Sequence, residues 1–372
     1  MAITDDLYAS TLTIDLDAVA ANYALLSERL LPSKALAGAA VKADGYGLGV
    51  KPVARALWAA GCRDFFVAHP AEGVAVRQEL ADARIHVLNG PIKTAIDDYI
   101  YYDLIPVLNS LGDIALWQEA CRSRNRRFKA DVHIDTGMCR LGLDLGETST
   151  LLSDADDLLD GIDVQLFMTH LASADDIESP QSAQQLSLFK SAYDRLQIGQ
   201  PSLCNSSGIF LGEAYHYAVA RPGIALYGGN PTPHTTNPMA NPVTLTTRLL
   251  QVRDVGPGEN VGYGASYDVG QPMKVATVAI GYADGFHRIG SNIGFATIEG
   301  HKAPIIGRVS MDLITLDVTT VPEHLLDGGA IATFVGPERT PDDLARDWQT
   351  IPYEVLTGLG RRYRRVYTGI GA

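Results

Sequence analysis

Cysteine is scarce in this 372-residue chain, and Cys62, Cys121, Cys139 and Cys204 show neither metal-ligand spacing nor the density of a disulfide framework. No run is long and apolar enough to span a bilayer. The first ten residues contain Asp5 and Asp6 and no apolar core, so no secretory signal is expected and the cytoplasm is the expected compartment. Basic residues are also in deficit: 30 Lys and Arg against 43 Asp and Glu give a net charge of −13. That balance excludes a surface built for nucleic acid or an anionic membrane. Internal repeats and low-complexity tracts are absent. What remains is an ordinary globular composition, 46% hydrophobic and 20% charged, long enough for a barrel and a second domain.

Strand-like apolar runs recur at 36–41, 64–68, 85–89, 104–108, 130–134, 163–168, 201–204 and 217–220. Most gaps between them hold a helical pattern, such as 71–80 and 113–124. That alternation predicts an α/β fold, a (β/α)8 TIM-type barrel over residues 1–230. Residues 228–242, GGNPTPHTTNPMANP, read as a linker. Beyond it, Val-, Ile- and Thr-rich runs at 243–255, 275–280, 296–298, 314–318 and 330–335 predict a C-terminal all-β domain over 243–372, with one helix near 340–346. The strand expected at 11–16 stands apart from the barrel rhythm and can pack with this C-terminal domain.

The chemistry is expected where barrel strands end. Lys42 follows a run that reads as buried on both faces, and a glycine-punctuated turn follows Lys42 (VKADGYGLG, 41–49). A partly desolvated amine there suits a Schiff base to an aldehyde, although a strand-end lysine reaching for solvent would look the same locally. After the seventh and eighth strands come CNSSG (204–208) and RPGIALYG (221–228). These offer hydroxyls, a cation and a close-approach glycine where barrels commonly bind phosphate.

Taken with these segments, VKADGYGLG resembles the lysine signature of the alanine racemases, pyridoxal-phosphate enzymes built from a barrel and a β domain. Further stretches are similar to that family's motifs, in its order: DTGMCRLG (135–142), MTHLASAD (168–175), YGASY (263–267), GYADG (281–285), GRVSMD (307–312) and PYE (352–354). The resemblance implies pyridoxal 5'-phosphate held on Lys42, with Tyr46, His170, Asn205, Ser206, Arg221, Gly223, Ile224 and Tyr353 around it. Arg221 would face the pyridine nitrogen, and His170 would bridge Arg221 to Tyr263. Lys42 and Tyr263 would be the two bases, for the D- and L-enantiomers respectively. Arg140, Tyr282 and Met311 would meet the substrate, while His133, Asp175, Arg288, Arg308 and Asp312 would form an outer layer or entrance. No metal is implied.

One departure stands out: many members have a lysine, often carbamylated, where this chain has His133, so what orients Arg140 is open. The resemblance further implies a head-to-tail homodimer with shared sites, acting on a small amino acid and supplying D-alanine for peptidoglycan. A racemase of serine or of broader range is the nearest alternative. A decarboxylase of the same fold normally sets a carboxylate at the ring nitrogen, which Arg221 counts against. A non-catalytic cofactor carrier would lack residues 243–372.

Overall fold

The computed structural model describes residues 7–327 and 329–370. It divides into two compact units, one of Val19–Met239 and one of residues 7–18 with Ala240–Ile370.

In the first unit, parallel strands follow in sequence order: Leu36–Ala37 continuing into Ala39–Ala40, then Asp64–Val67, Arg84–Val87, Leu104–Leu108, Phe128–His133, Ile162–Met168 and Gln200–Ser202. An eighth strand, Val219–Ala220, pairs in parallel with Leu36–Ala37. On its other side the amides of Ala218 and Arg221 donate to Pro201 and Cys204 carbonyls, both at 2.9 Å, so the ring closes. Gly38 makes the first strand fit, since a Cβ there would lie 2.7 Å from the Phe66 ring. Helices fill the gaps, several with side-chain caps: Ser110 Oγ accepts from the Asp113 amide at 3.0 Å, and Asp144 Oδ1 accepts from that of Glu147 at 2.8 Å. The seventh and eighth strands are joined only by the short turns Ser207–Phe210 and Glu213–Tyr215.

The second unit is an 8-stranded, largely antiparallel sheet in the order 273–278, 314–317, 301–306, 295–298, 331–335, 243–255, 10–15, 364–368. Val243–Val255 also pairs with Met273–Val278, which closes part of the sheet into a barrel, and a bulge between Leu249 and Gln251 gives the long strand its bend. Ser10–Asp15 lies between Val243–Val255 and Arg364–Thr368.

The interior of the α/β barrel is not wholly apolar. His86 Nδ1 lies 2.6 Å from Asp131 Oδ2 and its Nε2 lies 3.3 Å from Asp64 Oδ1, with Phe66 stacked on the ring. Arg84 donates two 2.6 Å bonds to the Asp64 carboxylate, and the Leu166 amide donates to Asp131 Oδ1 at 3.0 Å. Burial alone would favour neutral partners, but the two carboxylates outweigh it and raise the His86 pKa to about 9. A histidine raised from 6.5 contributes its full stability below about 6.5 and loses it as pH climbs through about 9. The melting temperature should therefore fall between pH 7 and pH 10, with a shallower fall in Asp131→Asn. Equal slopes in the two proteins would show that His86 does not titrate in this window.

Candidate active site

Lys42 leads directly off the first barrel strand into a turn with left-handed backbone at Ala43, Asp44, Gly45 and Tyr46 (φ 53°, 54°, 63° and 54°). Three of these are not glycine, at a cost of about 1–2 kcal/mol each, so the surroundings must hold them. Glu72 Oε1 accepts from the Ala43 amide at 2.6 Å while its Oε2 takes the amides of Ala68 and His69. Asp44 Oδ1 takes the Val50 amide at 2.8 Å. The turn thus fixes Lys42 at the strand's C-terminal end. Burial lowers the Lys42 pKa, Arg140 lowers it further, and Glu72 opposes them.

Arg221 begins the turn after the eighth strand and is nine-tenths buried, with 6% exposure. It donates to Ser202 Oγ, to Thr169 O at 2.5 Å, to Leu203 O at 3.3 Å and to His170 Nδ1 at 3.2 Å. Every acceptor is neutral, and burial lowers its pKa to about 10, leaving it charged at neutral pH. Since Arg221 can only donate, His170 Nδ1 must accept, and the ring's proton lies on Nε2. Burial and then Arg221 push the His170 pKa well below 6.5, so the ring is neutral. Its Nε2–H meets no acceptor among the described residues.

His133 reaches the same state by another route. Asn109 Nδ2 donates to the carbonyls of Leu88 and Val107, both at 3.0 Å, so its Oδ1 faces His133 Nδ1 at 2.8 Å and the imidazole carries its proton there. Burial, then Arg221, lower the His133 pKa to about 3. The loop carrying Arg140 is shaped by Asp135, whose Oδ1 accepts the amides of Gly137 and Met138 and whose Oδ2 accepts that of Cys139, all at 2.8 Å. Gln185, fully buried, binds Thr136 Oγ1, His170 O and the Ala172 amide, joining the ends of the fifth and sixth strands.

Ser206 and the Gly223–Ile224 turn form a separate cradle. Ser206 Oγ, 2% exposed, accepts from the amides of Gly223 (2.9 Å) and Ala225 (3.3 Å). Its own hydrogen has no acceptor among the described residues, which suits an anion. Tyr46 stacks on Tyr227 at 4.5 Å, and a Cβ on Gly223 would lie 2.1 Å from the Tyr46 hydroxyl, so only glycine fits. Asn205 Oδ1 accepts the Gly208 amide at 3.0 Å. Asp175 is exposed, with no hydrogen bond to the group among the described residues.

The remaining expected residues lie in the β unit. Tyr263 is 71% exposed between Gly262 (φ 83°) and Gly264 (φ 68°). The Arg308 guanidinium lies 3.0 Å from where a Gly264 Cβ would be. Tyr282 and Met311 are exposed on loops joined by Tyr282 N to Ser310 O (3.0 Å) and Ala283 N to Met311 O (3.0 Å). Asp312 pairs with Arg362 at 2.7 Å. Arg288 is exposed, and Tyr353 lies in the first turn of the helix Pro352–Gly358.

A closed α/β barrel with a desolvated amine, a buried guanidinium and an anion-ready hydroxyl at its strand ends defines a barrel enzyme for small anionic molecules. The family model described as alanine racemase, N-terminal domain, matches residues 14–231, and that for the C-terminal domain matches 242–367. An alanine racemase of Rhodospirillum rubrum is 47% identical over 367 residues, 98% of either chain. A catabolic alanine racemase of Agrobacterium fabrum is 47% identical over 357 residues, 96% of this chain and 91% of that one. The crystal structure of alanine racemase from Bartonella henselae, with covalently bound pyridoxal phosphate, superposes with a TM-score of 0.92 at 37% identity, over 97% of this chain and 99% of that one. The chain belongs to the alanine racemase family.

Sequence reading missed Glu72, Asn109 and Gln185. Each acts through backbone or through another side chain, and such roles have no motif of their own. The electrostatics yield a test of sign. Competitive acylation of lysines followed across pH should give Lys42 a midpoint below that of surface lysines. Arg140→Ala should move that midpoint up and Glu72→Gln should move it down. Shifts of the same sign in both variants would contradict the assigned environment.

Proposed function

We infer that the protein interconverts L- and D-alanine, with pyridoxal 5'-phosphate as cofactor and Lys42 and Tyr263 as proton carriers on opposite faces of the substrate Cα. The observation that carries this reading is the desolvated Lys42 amine sharing one barrel end with an Arg221 guanidinium whose partners are all neutral. The residues present fit the cofactor. Lys42 would take its aldehyde; Ser206, Asn205, Tyr46, the Gly223–Ile224 turn and Tyr353 would hold its phosphate; and Arg221 would face its ring nitrogen. Joined through its aldehyde to an amine, pyridoxal phosphate draws electrons from Cα and acidifies its C–H bond.

Arg221 limits that effect. It offers only N–H and stays charged, so it would donate to the ring nitrogen without protonating it and keep the electron sink weak. Racemisation needs only brief proton loss, and a weak sink disfavours other outcomes. Lys42, its lowered pKa leaving more free amine, serves the D-enantiomer. Tyr263 serves the L-enantiomer, and the His170 Nε2–H is a donor able to hold a phenolic oxygen as its proton comes and goes. Arg140 suits the substrate carboxylate. Tyr282 and Met311 narrow the space to alanine, with Arg288, Arg308 and Asp175 along the approach.

Two copies of the chain share each site in this reading, head to tail. Tyr263 lies in the β unit beyond the linker, is largely exposed, and makes no hydrogen bond among the described residues. The four cysteines are all free thiols, which suits a reducing cytoplasm.

Chiral analysis of alanine tests both parts of the proposal. Lys42→Ala and Tyr263→Phe should each be nearly inactive. Unfolded and refolded together, they should recover roughly a quarter of wild-type activity, because about half of randomly paired dimers are mixed and each mixed dimer has one intact site. Inactivity of mixed dimers verified by mass spectrometry would rule out shared sites. An active Lys42→Ala homodimer would overturn the assignment of bases.

A further inference from the structure

We propose that Arg362 is a positioning residue that clamps the Tyr282 loop to the Met311 loop and thereby sets the width of the substrate space. This rests on the proposed placement of Tyr282 and Met311 beside the substrate. Arg362 Nε lies 3.0 Å from Asp284 Oδ1, and its NH1 lies 2.7 Å from Asp312 Oδ1. Each carboxylate belongs to one of the two loops: Asp284 is two residues past Tyr282, and Asp312 follows Met311. The planar guanidinium spans both at once, which a lysine ammonium cannot reproduce.

The packing beneath the clamp leaves little slack. Asp284 is nearly buried, and its Oδ2 accepts the Gly281 amide at 2.9 Å, closing the turn that presents Tyr282. A Cβ on Gly281 would come within 2.4 Å of the Ser310 and Met311 carbonyls, and one on Gly285 within 2.0 Å of the Gly358 carbonyl. The Gly360 amide donates to Asp284 O at 2.9 Å. Arg362 therefore comes from the segment just after the helix that carries Tyr353, and three loops with an expected site residue on or beside them meet at one side chain.

The two arms of the clamp differ physically. Burial raises the Asp284 pKa against the pull of the Gly281 amide and Arg362, so losing Arg362 leaves a buried carboxylate without its cation. The Asp312 arm is half exposed on both partners and, being screened by solvent, contributes little to folding. Its effect is geometric, because it decides where Met311 stands relative to Tyr282.

The test is steady-state racemisation of alanine and of serine, one hydroxyl larger, by the holoenzyme. Arg362→Met should raise KM for alanine about five-fold, the scale of a solvent-screened ion pair, with kcat within about two-fold. The serine-to-alanine ratio of kcat/KM should rise by a similar factor. Arg362→Lys should recover part of the change, and Arg362→Met with Asp312→Asn should do no more than Arg362→Met alone. If Arg362→Met fails to fold, Asp312→Asn carries the same expectation, since its side chain is exposed. Unchanged KM and substrate ratio, or effects that simply add, would overturn the clamp. Met311→Ala and Tyr282→Ala in the same assay separate the two failures. If neither shifts the ratio, the loops do not flank the substrate; if they shift it and the Arg362 variants do not, the clamp alone is wrong.

Discussion

The site depends on a guanidinium held out of water, that of Arg221, whose hydrogen-bond partners are all neutral. Arg221 spends its N–H groups on hydroxyl, carbonyl and imidazole acceptors, and Lys42 is partly buried under the field of Arg140. An isolated buried charge is costly, so such a group is normally paired or neutralised. Here the barrel fold supplies the compensation, with dipoles aimed from strand ends and a left-handed turn anchored by Glu72. The resulting excess of positive potential fits an anionic ligand and favours a neutral lysine.

Two histidines share this field, and both stay neutral for reasons written in their hydrogen bonds. Arg221 fixes one tautomer by donating to His170 Nδ1; Asn109 fixes the other by accepting from His133 Nδ1. Deeper in the same barrel His86 takes the opposite state, because it meets Asp131 and Asp64 rather than arginines. One residue type is thus neutral at the strand ends and cationic in the interior, and only its neighbours differ.

The barrel strands were largely legible in the sequence. The strand runs at 36–41 through 217–220 fall on the observed barrel strands, because parallel strands buried on both faces read as apolar blocks. The strand His301–Ile306 was not legible, as Pro304 and two basic or polar residues break its pattern. Arg364–Thr368 begins with two arginines and was equally hidden. At the site, residues within motifs were readable, whereas those that set their protonation or orientation were not. Asn109 acts on His133 across 24 residues, and Arg362 reaches Asp312 across 50. Such partners become neighbours only once the chain has folded. The substitution of histidine for the family's frequent lysine was visible at once, but that His133 is neutral and anchored by Asn109 emerges only from the three-dimensional structure.

Lys42 is proposed as the amine held ready for the cofactor's aldehyde. Borohydride reduction of the holoenzyme followed by peptide mapping locates that amine. The pyridoxyl group is expected on the peptide containing Lys42 and on no other. A label on Lys34, Lys51 or any other lysine, with Lys42 unmodified, would contradict it.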